Sequence, residues 1–219
     1  MFNGFPRESM EFLFSLRFCN TIELLPENKE RYRQLISEPL AELFHALVPS
    51  VLAVSDSAMV KPSKCVSTMY SDRRFSQAAP LKEYMYIRFR ELAHEKDILG
   101  LYFDMGSEDY SYGIRIYKQT SVGMVGIRDG ITTEQAAFAR ALGKAEKLQM
   151  TIIGDSFAKD HYPEESGHIK ELLNKRNFHI GRTRPIGEAV FDGTLLDEIA
   201  GAYAELKELY ALLRKALYQ

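Results

Sequence analysis

The chain has 219 residues, which is enough for one sizeable hydrophobic core, so we expect a single globular domain over residues 1–219. Hydrophobic residues make up 46% and charged residues 26% of the chain, values typical of a folded protein rather than a disordered one. A formal net charge of −2 argues against a dedicated nucleic-acid-binding protein on global charge alone.

Membrane and secretory signals are weak in this sequence. No consecutive apolar run approaches the ~18 residues that a membrane-spanning helix needs. The first ten residues carry Pro6, Arg7 and Glu8 instead of the apolar core of a secretory signal. The two cysteines, Cys19 and Cys65, have no zinc-ligand spacing, so we expect reduced thiols, no metal and a cytoplasmic location.

The N-terminal quarter predicts helices. Residues 5–18 favour a short helix, and residues 27–48 favour a longer one because apolar residues recur there every three or four positions. Pro39 lies inside the second pattern. A proline removes a backbone donor and clashes with the preceding turn, so we expect a kink or a restart near Ser37.

The middle of the chain predicts a β-hairpin. Residues 64–70 have the β-branched and aromatic content of a strand, and residues 81–94 are predicted to form a helix. Residues 98–105 and 110–118 both alternate apolar and other residues with period two, and turn-forming residues 106–109 lie between them. This is typical of a hairpin with a loop of roughly four residues.

The C-terminal part predicts helices between isolated strands. Thr132 and Gln135 form a capping-box pattern for a helix running to about Lys147. The other predicted elements are strands at 150–153 and 178–184, a helix at 167–175 and a long final helix from Thr194. A hairpin plus isolated strands without regular βαβ spacing indicates an α+β fold, with a mainly antiparallel sheet covered by helices.

Positive charge is concentrated between residues 61 and 90, where seven basic residues face two acidic ones. Within this stretch, residues 72–82 combine Asp72, Arg74 and Lys82 in a predicted turn between a strand and a helix. An arginine fork can hold a phosphate or carboxylate through two parallel hydrogen bonds, and a nearby aspartate can orient the fork. We therefore expect an arginine-lined pocket for a small anionic or phosphorylated ligand, with Arg128 as a further partner. The competing interpretation is a structural ion pair or helix cap formed by Asp72.

The same segment resembles the bacterial and fungal family known as domain of unknown function 2461. The family pattern runs approximately Arg-Asp-x-Arg-Phe-Ser, then a charged run, then Pro-Tyr-Lys. The positions that match it are Asp72, Arg74, Phe75, Ser76, Pro80 and Lys82. Further similarities span most of the chain, at Phe12-Leu13, Asn20, Asn28-Lys29, Tyr32, Ile127-Arg128 and residues 172–178.

Several positions depart from the family pattern. Ser71 stands in place of the first arginine, residues 77–79 replace the charged run, Leu81 replaces the tyrosine, and Leu24-Leu25 replaces a Trp-Phe pair. The resemblance implies an α+β fold. The resemblance implies no activity, so whether the protein is an enzyme stays open. The departures from the family pattern are compatible with an altered ligand or with a degenerate site.

Two other chemistries compete with the anion site. Gly154-Asp155-Ser156 follows a predicted strand, as in some serine hydrolases, but the chain lacks the Asp-x-x-His pair that would activate the serine. The turn-forming interpretation is therefore favoured. His161 and His168 lie among acidic residues, yet they are seven residues apart across Pro163 and Gly167, so we expect a solvated acidic loop without a metal and predict no cofactor.

A nucleic-acid surface and a non-catalytic interaction domain are the remaining alternatives. A second basic group could join the residue 61–90 region, with tyrosines stacking on bases. The basic members are Lys170, Lys175, Arg176, Arg182 and Arg184, and the tyrosines are Tyr70, Tyr84, Tyr86, Tyr102 and Tyr112. Half-buried strand tyrosines with wet hydroxyls explain the aromatic content more simply. A small anionic molecule is thus the expected partner, with nucleic acid and membrane disfavoured.

Overall fold

The computed structural model describes residues 2–71 and 80–218 and shows an α+β fold. Its sheet has five strands in the order β1-β2-β3-β5-β4, and every neighbouring pair is antiparallel. The strands are β1 (Met85–Arg90), β2 (Ile98–Met105), β3 (Asp109–Tyr117), β4 (Thr151–Ile153) and β5 (His179–Pro185).

Helices precede, interrupt and follow the sheet. Before it come α1 (Glu8–Ser15), α2 (Leu25–Tyr32), a π-helical turn (Arg33–Ser37), α3 (Glu38–Val54) and α4 (Pro62–Cys65). Between β3 and β4 come α5 (Ser121–Thr133) and α6 (Gln135–Lys147), and α7 (Gly167–Leu173) precedes β5. A 3-10 turn (Glu188–Phe191) leads into the C-terminal helix α8 (Thr194–Tyr218).

One face of the sheet forms the hydrophobic core. Alternate residues of β1 and β2, such as Ile87 opposite Phe103 and Phe89 opposite Leu101, are fully buried on this face. Helices α3 and α8 pack against it and against each other. The apolar stripe of α8 that the sequence predicts is buried here, because a helix beside a sheet excludes water from both apolar surfaces.

The helical irregularity predicted near Ser37 is confirmed, as a π-helical turn within a continuous helical run. The π-helical turn ends at Ser37, and Pro39 stands in the first turn of α3, where its missing N–H costs little. The hairpin of β2 and β3 is also confirmed, as are β4, α7, β5 and α8. The mainly antiparallel α+β fold predicted from the sequence is therefore correct.

Two predicted elements are wrong, and the start of a third is misplaced. Residues 81–94 contain strand β1 instead of a helix, and residues 64–70 form the end of α4 and isolated bridges instead of a strand. The predicted helix start at Thr132 falls near the end of α5, and α6 begins at Gln135. Pairing or packing with distant segments decides these elements.

Helix α5 was not predicted, because its glycines lower helix propensity. Gly126 and Gly130 face α8: a Cβ on Gly126 would lie 2.6 Å from the Ala216 oxygen, and a Cβ on Gly130 2.7 Å from the Ala216 Cβ. The glycines therefore allow a close approach of two helices that only the tertiary structure reveals. Thr120 caps α5 by accepting a hydrogen bond from the Gly123 N–H at 3.0 Å.

Within the described residues, the continuous helical run Leu25–Val54 is long and apolar enough to cross a membrane by length and composition. Charged residues such as Glu38 and Glu42 interrupt this run, so the expectation that no consecutive apolar stretch reaches spanning length is not contradicted. Leu43, Phe44 and Leu47 of α3 are fully buried against the rest of the protein. Core helices pass the same test, so the feature by itself assigns no location.

Candidate functional site

The second face of the sheet carries charged and aromatic side chains instead of apolar ones. We call it the arginine–tyrosine face and define it by the residues Tyr86, Arg88, Arg90, Tyr102, Asp104, Arg115, Tyr117 and His179. In the strand register Arg88 lies opposite Tyr102, and Arg115 lies opposite His179. Four strands thus bring residues separated by more than 90 positions onto one surface.

Strand alternation explains why these side chains share a face. Successive side chains of a strand point to opposite sides, so Tyr86, Arg88 and Arg90 leave the sheet together while the residues between them enter the core. Small residues make room for the large ones. A Cβ on Gly181 would lie 2.1 Å from the Tyr102 hydroxyl oxygen, so glycine there lets the Tyr102 ring lie close against the sheet.

Asp104 is the carboxylate at the centre of this face. Its Oδ2 accepts a 3.0 Å hydrogen bond from Arg115 Nη1, and its Oδ1 lies 4.0 Å from Arg88 Nε. The three side chains are only 23%, 27% and 26% exposed, for Asp104, Arg88 and Arg115 respectively. Burial raises the pKa of Asp104 although both arginines act in the opposite direction, so the site is substantially dehydrated.

The guanidinium groups stack on the tyrosine rings. Arg88 Cζ lies 3.7 Å from the Tyr86 ring centroid, and Arg115 Cζ lies 4.2 Å from that of Tyr102. Arg88 and Arg90 both lie 5.7 Å from the Tyr117 centroid. Stacking holds the planar cations while their N–H groups, which lie in the guanidinium plane, remain available for acceptors.

Several polar atoms of this face lack partners. Of the six buried side-chain N and O atoms without a hydrogen bond among the described residues, four belong here: Arg88 Nε, Arg90 Nε, Asp104 Oδ1 and Tyr117 Oη. Burial raises the pKa of Tyr117 well above its usual value, so its hydroxyl stays protonated. A buried polar atom without a partner costs roughly 1–3 kcal/mol, so a cluster of four is the pattern expected of a binding site.

His179 is the neutral member of the face. Burial, together with the charge of Arg115, lowers the pKa of His179 to about 4. Its ring meets the Tyr102 ring edge-on at 6.0 Å between centroids. At neutral pH it therefore contributes an uncharged imidazole beside the arginines.

Of the predicted site residues, Asp72 and Arg74 lie outside the described residues. Lys82 borders the arginine–tyrosine face: its Nζ lies 5.3 Å from the Tyr86 ring centroid and 3.4 Å from Thr68 Oγ1. Burial, with a smaller contribution from Arg88, lowers the pKa of Lys82. The predicted lysine thus lies near Arg88, which the sequence analysis counts only as part of the basic stretch of residues 61–90.

The segment carrying the family motif is tied together at its base. The Ser71 N–H donates to the Pro80 oxygen at 2.9 Å, and Tyr70 pairs with Leu81 in an isolated antiparallel bridge. Asn20 holds Leu81 from the other side: its Nδ2 donates to the Leu81 oxygen at 2.7 Å and its Oδ1 accepts from the Leu81 N–H at 3.0 Å. The asparagine of the family resemblance therefore positions the start and end of the motif segment beside β1.

Arg128 lies elsewhere. It belongs to α5, and its Nε and Nη2 donate to the backbone oxygens of Leu173 and Lys175 at 3.0 and 2.5 Å. Lys175 forms a bridge to Ser156, next to β4, whereas Lys82 precedes β1 at the opposite edge of the sheet. Four strand spacings of about 4.8 Å separate those edges, so Arg128 is not grouped with Lys82.

The hydrolase and metal alternatives gain no support from the geometry. The Gly154–Ser156 turn is fixed by Asn177, which exchanges hydrogen bonds with Asp155 at 3.2 and 2.8 Å, and no described histidine bonds Ser156. Asp160 pairs with Lys170 at 2.8 Å. In the described ranges no group of three or more His, Cys, Asp or Glu side chains is arranged to hold a metal ion.

A separate cleft of about 330 Å³ lies between α5 and α8. Its lining includes Gly126, Asp129, Glu134 and Lys215. Lys215 Nζ already pairs with Glu134 Oε1 at 2.9 Å, so the cation of this cleft is neutralised. The cleft is therefore a weaker candidate for a charged ligand than the arginine–tyrosine face.

Sequence reasoning missed most of this face. Asp104, Arg115, Tyr117 and His179 were not selected, because their proximity depends on strand pairing. One local signal was available: residues 85–90 read Met-Tyr-Ile-Arg-Phe-Arg, a period-two alternation of apolar and polar side chains that favours a strand. A strand assignment there would have placed Arg88 and Arg90 on one surface.

The fold and this face define an α+β protein with a half-buried cationic surface on an antiparallel sheet. The chain belongs to the family described as conserved hypothetical protein (DUF2461), whose family model matches residues 8–211. The resemblance found in the motif segment is thereby confirmed over almost the whole chain. A search of the curated proteins and a search of the solved structures found no match.

Proposed function

We propose that the arginine–tyrosine face binds a small anion, a phosphate or carboxylate group of a soluble molecule. The observation that carries this proposal is the pair of buried Nε–H donors of Arg88 and Arg90, which have no hydrogen-bond partner among the described residues. An anion would satisfy both donors through charge-assisted hydrogen bonds.

The local charge balance favours an anion. Lys82, Arg88, Arg90 and Arg115 contribute four positive charges, against the single carboxylate of Asp104 on the face. The arginines are only partly exposed, so water screens their charge less than at an open surface. A small anion that displaces the remaining water would compensate this excess.

The motif segment extends the proposed site. Asp72 and Arg74 remain proposed contacts, with Arg74 as an anion donor and Asp72 as its orienting group. Their segment begins and ends at Ser71 and Pro80, which are hydrogen-bonded to each other beside Lys82. The family motif and the arginine–tyrosine face would then serve one ligand.

A long polyanion fits less well than a small ligand. The second basic group of the sequence analysis is largely neutralised: Arg184 pairs with Glu198 at 2.6 Å and Lys170 with Asp160 at 2.8 Å. In addition, Arg184 belongs to the core-side register of β5, on the opposite side from His179. A continuous basic track of the kind that nucleic acid requires is therefore not supported.

Thermal-shift and calorimetric titration with inorganic phosphate and short carboxylates would test the proposal. A ligand at 100 times its dissociation constant stabilises the folded state by ~2.7 kcal/mol. We expect Arg88→Gln and Arg115→Gln to reduce the shift strongly. Arg140→Gln is the matched control, because Arg140 is an exposed arginine of α6 that pairs with Glu208. Equal responses of all four proteins, or no response of the wild type, would overturn the proposal.

A further inference from the structure

We infer that the ligand of the arginine–tyrosine face carries a hydroxyl or ammonium donor next to its anionic group, and that Asp104 Oδ1 accepts this donor. The inference rests on the proposed function, since it concerns the same site and refines the class of ligand. It selects hydroxy acids, amino acids and hydroxyalkyl phosphates over simple carboxylates and alkyl phosphates.

The unpartnered atoms of the face are of two kinds. Arg88 Nε and Arg90 Nε are donors, whereas Asp104 Oδ1 is an acceptor and Tyr117 Oη can serve as either. The other carboxylate oxygen, Asp104 Oδ2, already accepts from Arg115 at 3.0 Å. The bond to Arg115 fixes the carboxylate, so Oδ1 is held in place as a separate acceptor that no described residue uses.

A plain anion would leave this acceptor in an unfavourable position. Its oxygens would bond the arginines, but one of them would face Asp104 Oδ1, and two acceptors without a proton between them repel each other. The burial that raises the pKa of Asp104 increases the cost, because little water reaches the carboxylate. A donor on the ligand removes both penalties.

The spacing of donor and acceptor limits where the ligand's donor can lie. Arg88 Nε and Asp104 Oδ1 are 4.0 Å apart. A ligand that approaches both atoms from the same side, with hydrogen bonds of about 2.8 Å to each, places its two bonding atoms within a few ångströms of each other. A hydroxyl or ammonium group one or two carbons from the anionic group satisfies this condition.

Two isosteric ligand pairs test the inference. Lactate and isobutyrate differ by a hydroxyl in place of a methyl group, as do 2-hydroxyethyl phosphate and propyl phosphate. Calorimetric titration of the wild type, Asp104→Asn and the control Asp109→Asn would measure all four affinities. Asp109 is an exposed aspartate at the start of β3, so its variant reports the effect of removing a carboxylate outside the cluster.

We expect the hydroxylated member of at least one pair to bind the wild type at least tenfold more tightly than its isostere, because hydrogen bonds to charged groups discriminate strongly. In Asp104→Asn this preference should fall at least threefold, whereas Asp109→Asn should keep it. Equal binding of both members to the wild type would overturn the inference while leaving anion binding intact. A preference that Asp104→Asn retains would also overturn it. If inorganic phosphate and all four ligands fail to bind the wild type, the proposed function fails, and the inference with it.

Discussion

The clamp between Asn20 and Leu81 gives a sharp stability prediction. Asn20→Ala removes the donor to the Leu81 oxygen and the acceptor of the Leu81 N–H, which lie at 2.7 and 3.0 Å. Both residues are buried, with exposed fractions of 8% for Asn20 and 1% for Leu81. The substitution therefore leaves two backbone groups without partners in a place that water reaches poorly.

The expected magnitude follows from these two bonds. Each buried backbone group left unpaired costs roughly 1–3 kcal/mol, and partial entry of water lowers the sum, so we expect a loss of about 2–4 kcal/mol in the free energy of unfolding. For a chain of this length 1 kcal/mol corresponds to roughly 2–4 °C, so the melting temperature should fall by at least about 4 °C.

Urea unfolding followed by far-UV circular dichroism would measure this loss, since the chain has no tryptophan for fluorescence. Asn28→Ala is the control: Asn28 is only partly buried, and its side chain donates one longer bond, of 3.3 Å, to the Cys19 oxygen. We expect the control to change stability by less than about 0.5 kcal/mol. Similar losses in the two variants would refute the argument that the clamp, rather than the asparagine's local turn, stabilises the base of the motif segment.

Three further predictions concern buried groups. Glu91→Gln should destabilise the fold by about 2–3 kcal/mol in urea unfolding. The Glu91 carboxylate accepts a hydrogen bond from Tyr210 Oη at 3.0 Å, and an amide would turn a donor toward one of the carboxylate's partners. A loss below about 0.5 kcal/mol would contradict this prediction. The pKa of His179 is lowered to about 4 in the folded state, from a usual value of 6.5. Between these two pH values the unfolded chain binds a proton that the folded chain does not, so the free energy of unfolding falls as the pH falls. In His179→Gln the fall in the free energy of unfolding from pH 7 to 4.5 should be smaller, and an unchanged fall would disprove the contribution of His179. Gly181→Ala should weaken phosphate binding by displacing the Tyr102 ring, and calorimetry showing wild-type affinity would count against this role of Gly181.

Elements held together by local interactions could be read from the sequence. The β2–β3 hairpin needs only a period-two pattern and a short turn, and its pairing joins residues close in the chain. The helical irregularity before Pro39 follows from the chemistry of proline itself. These features do not depend on the rest of the fold, which explains why their predictions are confirmed.

Elements that depend on distant partners were missed. Strand β1 pairs with β2 on one side, and Val66 and Ser67 lie on its other side, so pairing on both sides stabilises a strand that the local sequence signalled only by its period-two pattern. Helix α5 forms despite its glycines because they allow close packing on α8. Local propensity is a small free energy, and burial against a partner exceeds it.

The sequence by itself determined the α+β class, the family and the basic character of residues 61–90. The tertiary structure decided which cations share a surface: the register of β1, β2, β3 and β5 brings Arg88 and Arg115 to either side of Asp104, and it places Arg128 at the other edge of the sheet. The physical reason is that a sheet face is assembled across strands by long-range hydrogen bonding. A shift of one residue in any strand would turn the same side chains toward the core. The period-two pattern of a strand shows which of its side chains share a face, but which strands lie side by side is decided by tertiary pairing.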